Sequence, residues 1–178
     1  MRINRRQLLS VLPVMPVMAA AIAADVRTAP EFTSRDPRDW INSPPLGWSD
    51  LADRVVLIDV WAFECANCYR SFPWLRSIEA RLTPRGLAIV GIHSPEFPAE
   101  QERASVKAKV KEFGLEHPVM IDNDLRYWRA LNNGAWPAFY LIDRKRQIRA
   151  RYYGETHEHD EQATRIERAI EALLREAS

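Results

Sequence analysis

The sequence predicts an α/β fold, from a β-α-β unit and a hairpin. Val55-Val56-Leu57-Ile58-Asp59-Val60-Trp61 and Leu87-Ala88-Ile89-Val90-Gly91-Ile92-His93 are nearly continuous apolar runs rich in β-branched residues, as strands buried on both faces require. Between them Phe72, Leu75, Ile78, Ala80 and Leu82 supply a helical stripe, so the three segments form a parallel β-α-β unit. Ala138 to Ile142 and Ile148 to Tyr153 flank the polar turn Asp143 to Gln147 and read as an antiparallel hairpin.

Residues 1–24 have the three-part layout of an export signal. Arg2, Arg5 and Arg6 precede an uncharged run from Leu8 to Ala24, and Asn4-Arg5-Arg6-Gln7-Leu8-Leu9 has the twin-arginine form. Ala21-Ile22-Ala23 suits cleavage before Ala24, which removes three arginines and takes the net charge from +1 to −2. Pro13 and Pro16 interrupt a run already short for a bilayer, so membrane attachment is expected only if the signal stays uncleaved. The expected location is the periplasm, where thiol pairs do not stay reduced by default. Residues 25–50, rich in Pro, Ser, Asp and Arg without periodicity, read as a linker or N-terminal arm with Trp40 and Trp48 as anchors. One domain is left, 51–178, long enough for a single core and expected to be monomeric. No block of one charge sign exists, so composition gives no electrostatic case for nucleic acid.

Inside the domain, a helix from about Cys65 to Leu82 follows the first strand, with Pro73 as a kink and Pro84 and Gly86 ending it. After the second strand come a loop with Pro95 and Pro98, a charged helix from about Ala99 to Phe113, and a short strand from Pro118 to Ile121. Leu125 to Leu131 reads as a short helix. The last helix, about Asp160 to Glu176, carries Ile166, Ala169, Ile170, Leu173 and Leu174 on one face.

Cys65 and Cys68, in Cys65-Ala66-Asn67-Cys68, are all the cysteine the chain has, and they sit where a strand becomes a helix. Two thiols at that spacing can close on each other. The unpaired N–H groups of a helix start stabilise a thiolate at the first cysteine, which becomes a nucleophile. A structural disulfide is the plainer alternative, but so short a loop removes little unfolded-state entropy.

Several residues beyond the cysteines give the segment from Val55 to the C-terminus a resemblance to the thioredoxin superfamily: Asp59, Trp61-Ala62, Pro73, Trp136-Pro137 and Gly154, in the family's order. The insert around Ser94 to Asn123 and the export signal make the chain similar to the periplasmic TlpA and DipZ-type branch. His93-Ser94-Pro95-Glu96-Phe97 and Cys65-Ala66-Asn67-Cys68-Tyr69-Arg70-Ser71-Phe72-Pro73 are nearest to the DipZ C-terminal domain.

The resemblance implies a three-layer thioredoxin-like fold, a central mixed sheet with helices on both faces and a helical insert, and a thiol:disulfide oxidoreductase needing no cofactor or metal. Cys65 would attack, Cys68 would resolve, and Asp59, its pKa raised by burial, would take the Cys68 proton. Pro137 would be cis beside the disulfide, with Trp136 shaping the substrate surface. Protein disulfides would be the substrates, and electrons would come from a membrane donor of the DsbD or CcdA type.

Two departures bear on direction. Ala66-Asn67 replaces the Gly-Pro of thioredoxin, and Glu64 stands where Trp is frequent. A carboxylate and no cation beside Cys65 disfavour its thiolate, which predicts a reductase more negative in potential than a strong oxidant such as DsbA. Two alternatives remain open: a copper-binding metallochaperone with His93 as a further ligand, and a thioredoxin-fold peroxidase. His157 and His159, on a polar loop, are read as exposed.

Overall fold

The computed structural model describes residues 27–176; the export-signal segment, residues 1–24, lies outside them. Ten regular elements follow in order: β1 (Trp40–Ile41), β2 (Val55–Trp61), α1 (Ala66–Leu82), β3 (Leu87–His93), α2 (Arg103–Glu112), β4 (Val119–Ile121), α3 (Arg126–Leu131), β5 (Ala138–Ile142), β6 (Ile148–Tyr153) and α4 (Glu161–Arg175). The six strands form one sheet in the order β1-β4-β3-β2-β5-β6. β2, β3 and β4 run parallel, while β5, β6 and β1 pair antiparallel, so the sheet is mixed.

Every residue of β2 is buried, which is why its sequence lacks polar alternation. Val55, Leu57 and Trp61 face a core shared with α1, α2 and α4. Val56, Ile58 and Val60 face a second core shared with α3 and residues 29–40. Helices and chain therefore cover both faces, and the layers are three. Fully burying a side chain such as Leu57 or Phe72 contributes about 2–3 kcal/mol relative to exposure. Edge strand β6 alternates half-buried and exposed residues, as its sequence Ile148-Arg149-Ala150-Arg151-Tyr152-Tyr153 requires.

One local feature differs from the sequence expectation. The charged helix is split: a 3-10 turn over Pro98–Gln101 precedes α2, whose N-cap is Glu102 with its carboxylate on the Ala104 N–H at 3.0 Å. α1 runs continuously through Pro73, which lies on the solvent side of the helix.

Residues 27–50 pack on the domain. Ala29, Phe32 and Trp40 are buried in the second core, and β1 pairs with β4 at the sheet edge. Trp40 and Trp48 do anchor this segment: Trp40 is buried in the second core and pairs with Met120, and Trp48 packs against that core, while their indole N–H groups donate within the segment to Ser34 O at 3.0 Å and Pro30 O at 2.9 Å. A Cβ on Gly91 of β3 would meet Trp61 Nε1 and Val119 Cγ2 at 3.1 Å each, so a side chain there requires those neighbours to give way by a few tenths of an ångström. No helix among the described residues is long and apolar enough to cross a membrane.

Candidate active site

The end of β2 delivers the first cysteine. Ala62-Phe63-Glu64 carries the chain off the sheet, and Cys65 becomes the N-cap of α1 with extended backbone. Its Sγ accepts the Cys68 N–H at 3.2 Å, and its carbonyl accepts the N–H groups of Cys68 and Tyr69 at 3.0 and 3.3 Å. Cys65 and Cys68 form a disulfide with their Cα atoms 5.3 Å apart. Cys68 is fully buried and Cys65 is 8% exposed, so Cys65 is the more reachable of the two. Once the disulfide opens, the same N–H and the positive end of α1 stabilise a Cys65 thiolate.

Asp59 lies on the same side of the sheet. Side chains alternate along a strand, so Asp59 shares with Leu57 and Trp61 the face covered by α1 and by both cysteines. It is buried, and neither carboxylate oxygen has a hydrogen-bond partner among the described residues. Loss of solvent raises its pKa from the ordinary carboxylate range to about 8. Asp59 is therefore not a rim carboxylate satisfied by partners.

His93 stands beside Trp61 in the β2–β3 register, on that same face. Its ring lies 4.9 Å from that of Trp61, edge to face, and stacks at 5.6 Å on Phe63. Both ring nitrogens are buried without partners, and desolvation lowers the pKa to about 3, so the imidazole is neutral at physiological pH. No group of three His, Cys, Asp or Glu residues arranged to hold a metal occurs among the described residues. His157 and His159 are exposed; His157 Nε2 is 2.5 Å from Glu155 Oε1.

Trp136 and Pro137 come from the loop before β5, joined by a cis peptide bond. The Trp136 indole N–H donates to Ser94 O at 2.9 Å, and its ring packs 4.1 Å from that of Trp128. Pro137 O accepts the Gly154 N–H at 2.9 Å. Trp136 makes no backbone hydrogen bond among the described residues.

Glu100 was not marked by the sequence reading, yet it organises this edge. Its carboxylate is fully buried: Oε1 accepts the Glu64 N–H at 2.8 Å, and Oε2 accepts those of Glu96 and Phe97 at 2.6 and 2.7 Å. The Ser94 N–H donates to Trp61 O at 2.9 Å. The loop after β3 is thereby stitched to the loop before Cys65. The signal was available, because Phe97-Pro98-Ala99-Glu100 carries a proline at the first helical position and a glutamate at the third. On the other flank Arg70 pairs with Glu155 at 2.7 Å and also bonds Asn67 Oδ1, holding the Glu155 carboxyl below its usual range.

A family model described as Redoxin matches residues 27–170. The chain belongs to the Redoxin family. Protein DipZ of Mycobacterium tuberculosis is 34% identical over 72% of this chain and 19% of its own length. Thiol-disulfide oxidoreductase YkuV of Bacillus subtilis is 23% identical over 67% of this chain and 79% of its own. Among solved structures, a thioredoxin-like superfamily protein superposes with a TM-score of 0.73 at 26% identity, covering 85% of this chain and 98% of that one. The chain spans 12% to 19% of the length of the long curated relatives it matches. The fold is thioredoxin-like, and two of the relatives, YkuV and ResA of Geobacillus kaustophilus, are named thiol-disulfide oxidoreductases.

Proposed function

We propose that this Redoxin-family protein is an exported thiol:disulfide oxidoreductase that reduces disulfides of periplasmic proteins through Cys65 and Cys68. The observation that carries the reading is the Cys65–Cys68 disulfide at the N-cap of α1, above a buried, partnerless Asp59. The arginine-rich start and apolar run of residues 1–24 support export.

In the reduced protein the Cys65 thiolate attacks one sulfur of a substrate disulfide, and the other leaves as a thiolate. A mixed disulfide between Cys65 and the substrate results. Cys68 is buried and must lose its proton before it can attack Cys65, and the ionised Asp59 carboxylate accepts that proton directly or through a water. The Cys68 thiolate then attacks Cys65 Sγ and breaks its bond to the substrate sulfur, which leaves and takes up the proton that Asp59 had accepted. Two electrons have passed to the substrate, and the Cys65–Cys68 disulfide has formed. An extended substrate segment pairs with the backbone groups of Trp136 beside the cis Pro137. The cycle closes when a separate dithiol donor, membrane-held and of the DsbD or CcdA type, reduces the pair again.

The poise follows from local charge. Glu64 adjoins Cys65, Ala66 and Asn67 add no cation, and Arg70 is occupied by Glu155, so the thiolate is less favoured than beside a basic residue. The experiment is a redox titration of the Cys65/Cys68 pair with insulin reduction measured in parallel and Cys68→Ser used to trap a mixed disulfide. A potential well below about −120 mV and a trapped adduct through Cys65 are expected. A potential above that value, or stoichiometric Cu(I) binding with no disulfide turnover, overturns the reading.

A further inference from the structure

The loop between β3 and α2 presents Phe97, a large aromatic side chain that is 50% exposed, beside the redox centre. Its position is fixed by the Glu100 carboxylate, which takes the Phe97 N–H on one oxygen and the Glu64 N–H on the other. Two amides sharing one carboxylate lie within about 8 Å of each other, and Glu64 is the residue before Cys65. The other end of this loop is held by Ser94, whose carbonyl accepts the Trp136 indole. Phe97 therefore belongs to the same edge as Cys65 and Trp136. Tyr69, 41% exposed and stacked on Phe113 at 5.7 Å, adds a second aromatic one residue after Cys68.

Charge at this edge is one-sided. Glu64 and Glu96 are exposed, both have their backbone N–H on Glu100, and neither carboxylate has a partner among the described residues. Arg70 is paired with Glu155, and Arg103 with Asp39 at 2.6 Å.

We infer that this edge selects the substrate: Phe97 receives an apolar side chain, and Glu64 and Glu96 favour a polypeptide with a basic residue next to its disulfide-bonded cysteine. The inference rests on the oxidoreductase reading and narrows it to a substrate class. A polypeptide is the occupant because the edge is continuous with Cys65 and with the backbone groups of Trp136, and its charge calls for a cationic one.

The test uses the reduced protein and three synthetic peptides of equal length, each closed by one disulfide, with Lys and Leu, Glu and Leu, or Lys and Ser beside the cysteines. kcat/KM is read from the change in tryptophan fluorescence as Cys65–Cys68 forms. The Lys/Leu peptide is expected to exceed the Glu/Leu peptide by about five-fold at low salt, falling toward parity at high salt. Glu64→Gln with Glu96→Gln should bring that ratio to near one. Phe97→Ala should remove the advantage of Lys/Leu over Lys/Ser. Ratios between peptides cancel any change in the intrinsic reactivity of Cys65. Equal rates for the Lys and Glu peptides, or a preference that survives in the double variant, overturns the inference while leaving the oxidoreductase reading intact. Failure to reduce any of the three removes both.

Discussion

Replacing Asp59 with Asn changes the energetics of the buried centre with little change in shape. The wild-type carboxyl has a pKa near 8 in the fold against an ordinary value of 3.8, because burial penalises the anion and nothing offsets it. Between those two values the folded protein holds a proton that the unfolded chain has released, so stability falls as pH rises. The contribution is complete below about pH 4 and lost as pH passes through about 8. At roughly 1.4 kcal/mol per pH unit, the loss reaches about 4 kcal/mol at pH 7. Asn cannot ionise and escapes it. The stability of Asp59→Asn minus that of wild type should therefore be smallest near pH 4, grow by about 4 kcal/mol by pH 7, and level off above pH 8.

His93 acts in the opposite direction. Its pKa is lowered to about 3, so its contribution is present above its ordinary value of 6.5 and is lost as pH falls from there toward 3. From these two groups the wild-type curve is nearly level from pH 4 to 6.5 and falls from there to 8. Only the difference between the proteins isolates Asp59. Urea unfolding of the oxidised forms at pH 4.5, 7 and 8.5 gives that difference. A constant offset across the three pH values refutes the argument that Asp59 is the desolvated titrating group.

Three further outcomes are expected. His93→Leu removes a group that must gain a proton on unfolding in acid, so its acid-unfolding midpoint, followed by circular dichroism, should lie at lower pH than wild type. Glu100→Ala leaves the Glu64, Glu96 and Phe97 N–H groups without their acceptor; a loss of about 2–4 kcal/mol in urea unfolding and faster amide exchange at those three positions are expected, and unchanged exchange refutes the tie. Ser71→Ala strands the buried Thr156 N–H, whose 2.9 Å bond to Ser71 Oγ holds the segment after β6 against α1, and should cost about 1–3 kcal/mol by the same assay.

The sequence carried the central sheet clearly because β2 and β3 are buried on both faces, and such strands have no polar alternation to confuse the reading. β5 was legible for the same reason, being buried throughout, whereas β6 and the amphipathic α4 were legible because their periodicity reflects one buried face. β1 was not. It is two residues long and exists only because Trp40 and Ile41 meet Met120 and Val119 across the sheet edge, a pairing that no local pattern encodes. The break before α2 was missed because the 98–113 segment is helical in composition, and the split is made by the Glu100 carboxylate turning back to the Glu64, Glu96 and Phe97 amides.

Taken alone, the sequence determined the α/β class, the pairing of Cys65 with Cys68 at a strand-to-helix junction, and the oddity of a carboxylate in an apolar strand. Those are local properties, set by periodicity and by spacing of a few residues. Tertiary structure decided which sulfur is reachable, that Asp59 faces the cysteines without a counter-charge, and that Trp136, Ser94, Phe97 and Glu100 gather at one edge. Those facts depend on solvent exclusion and on hydrogen bonds between segments dozens of residues apart, quantities that only the closed fold defines.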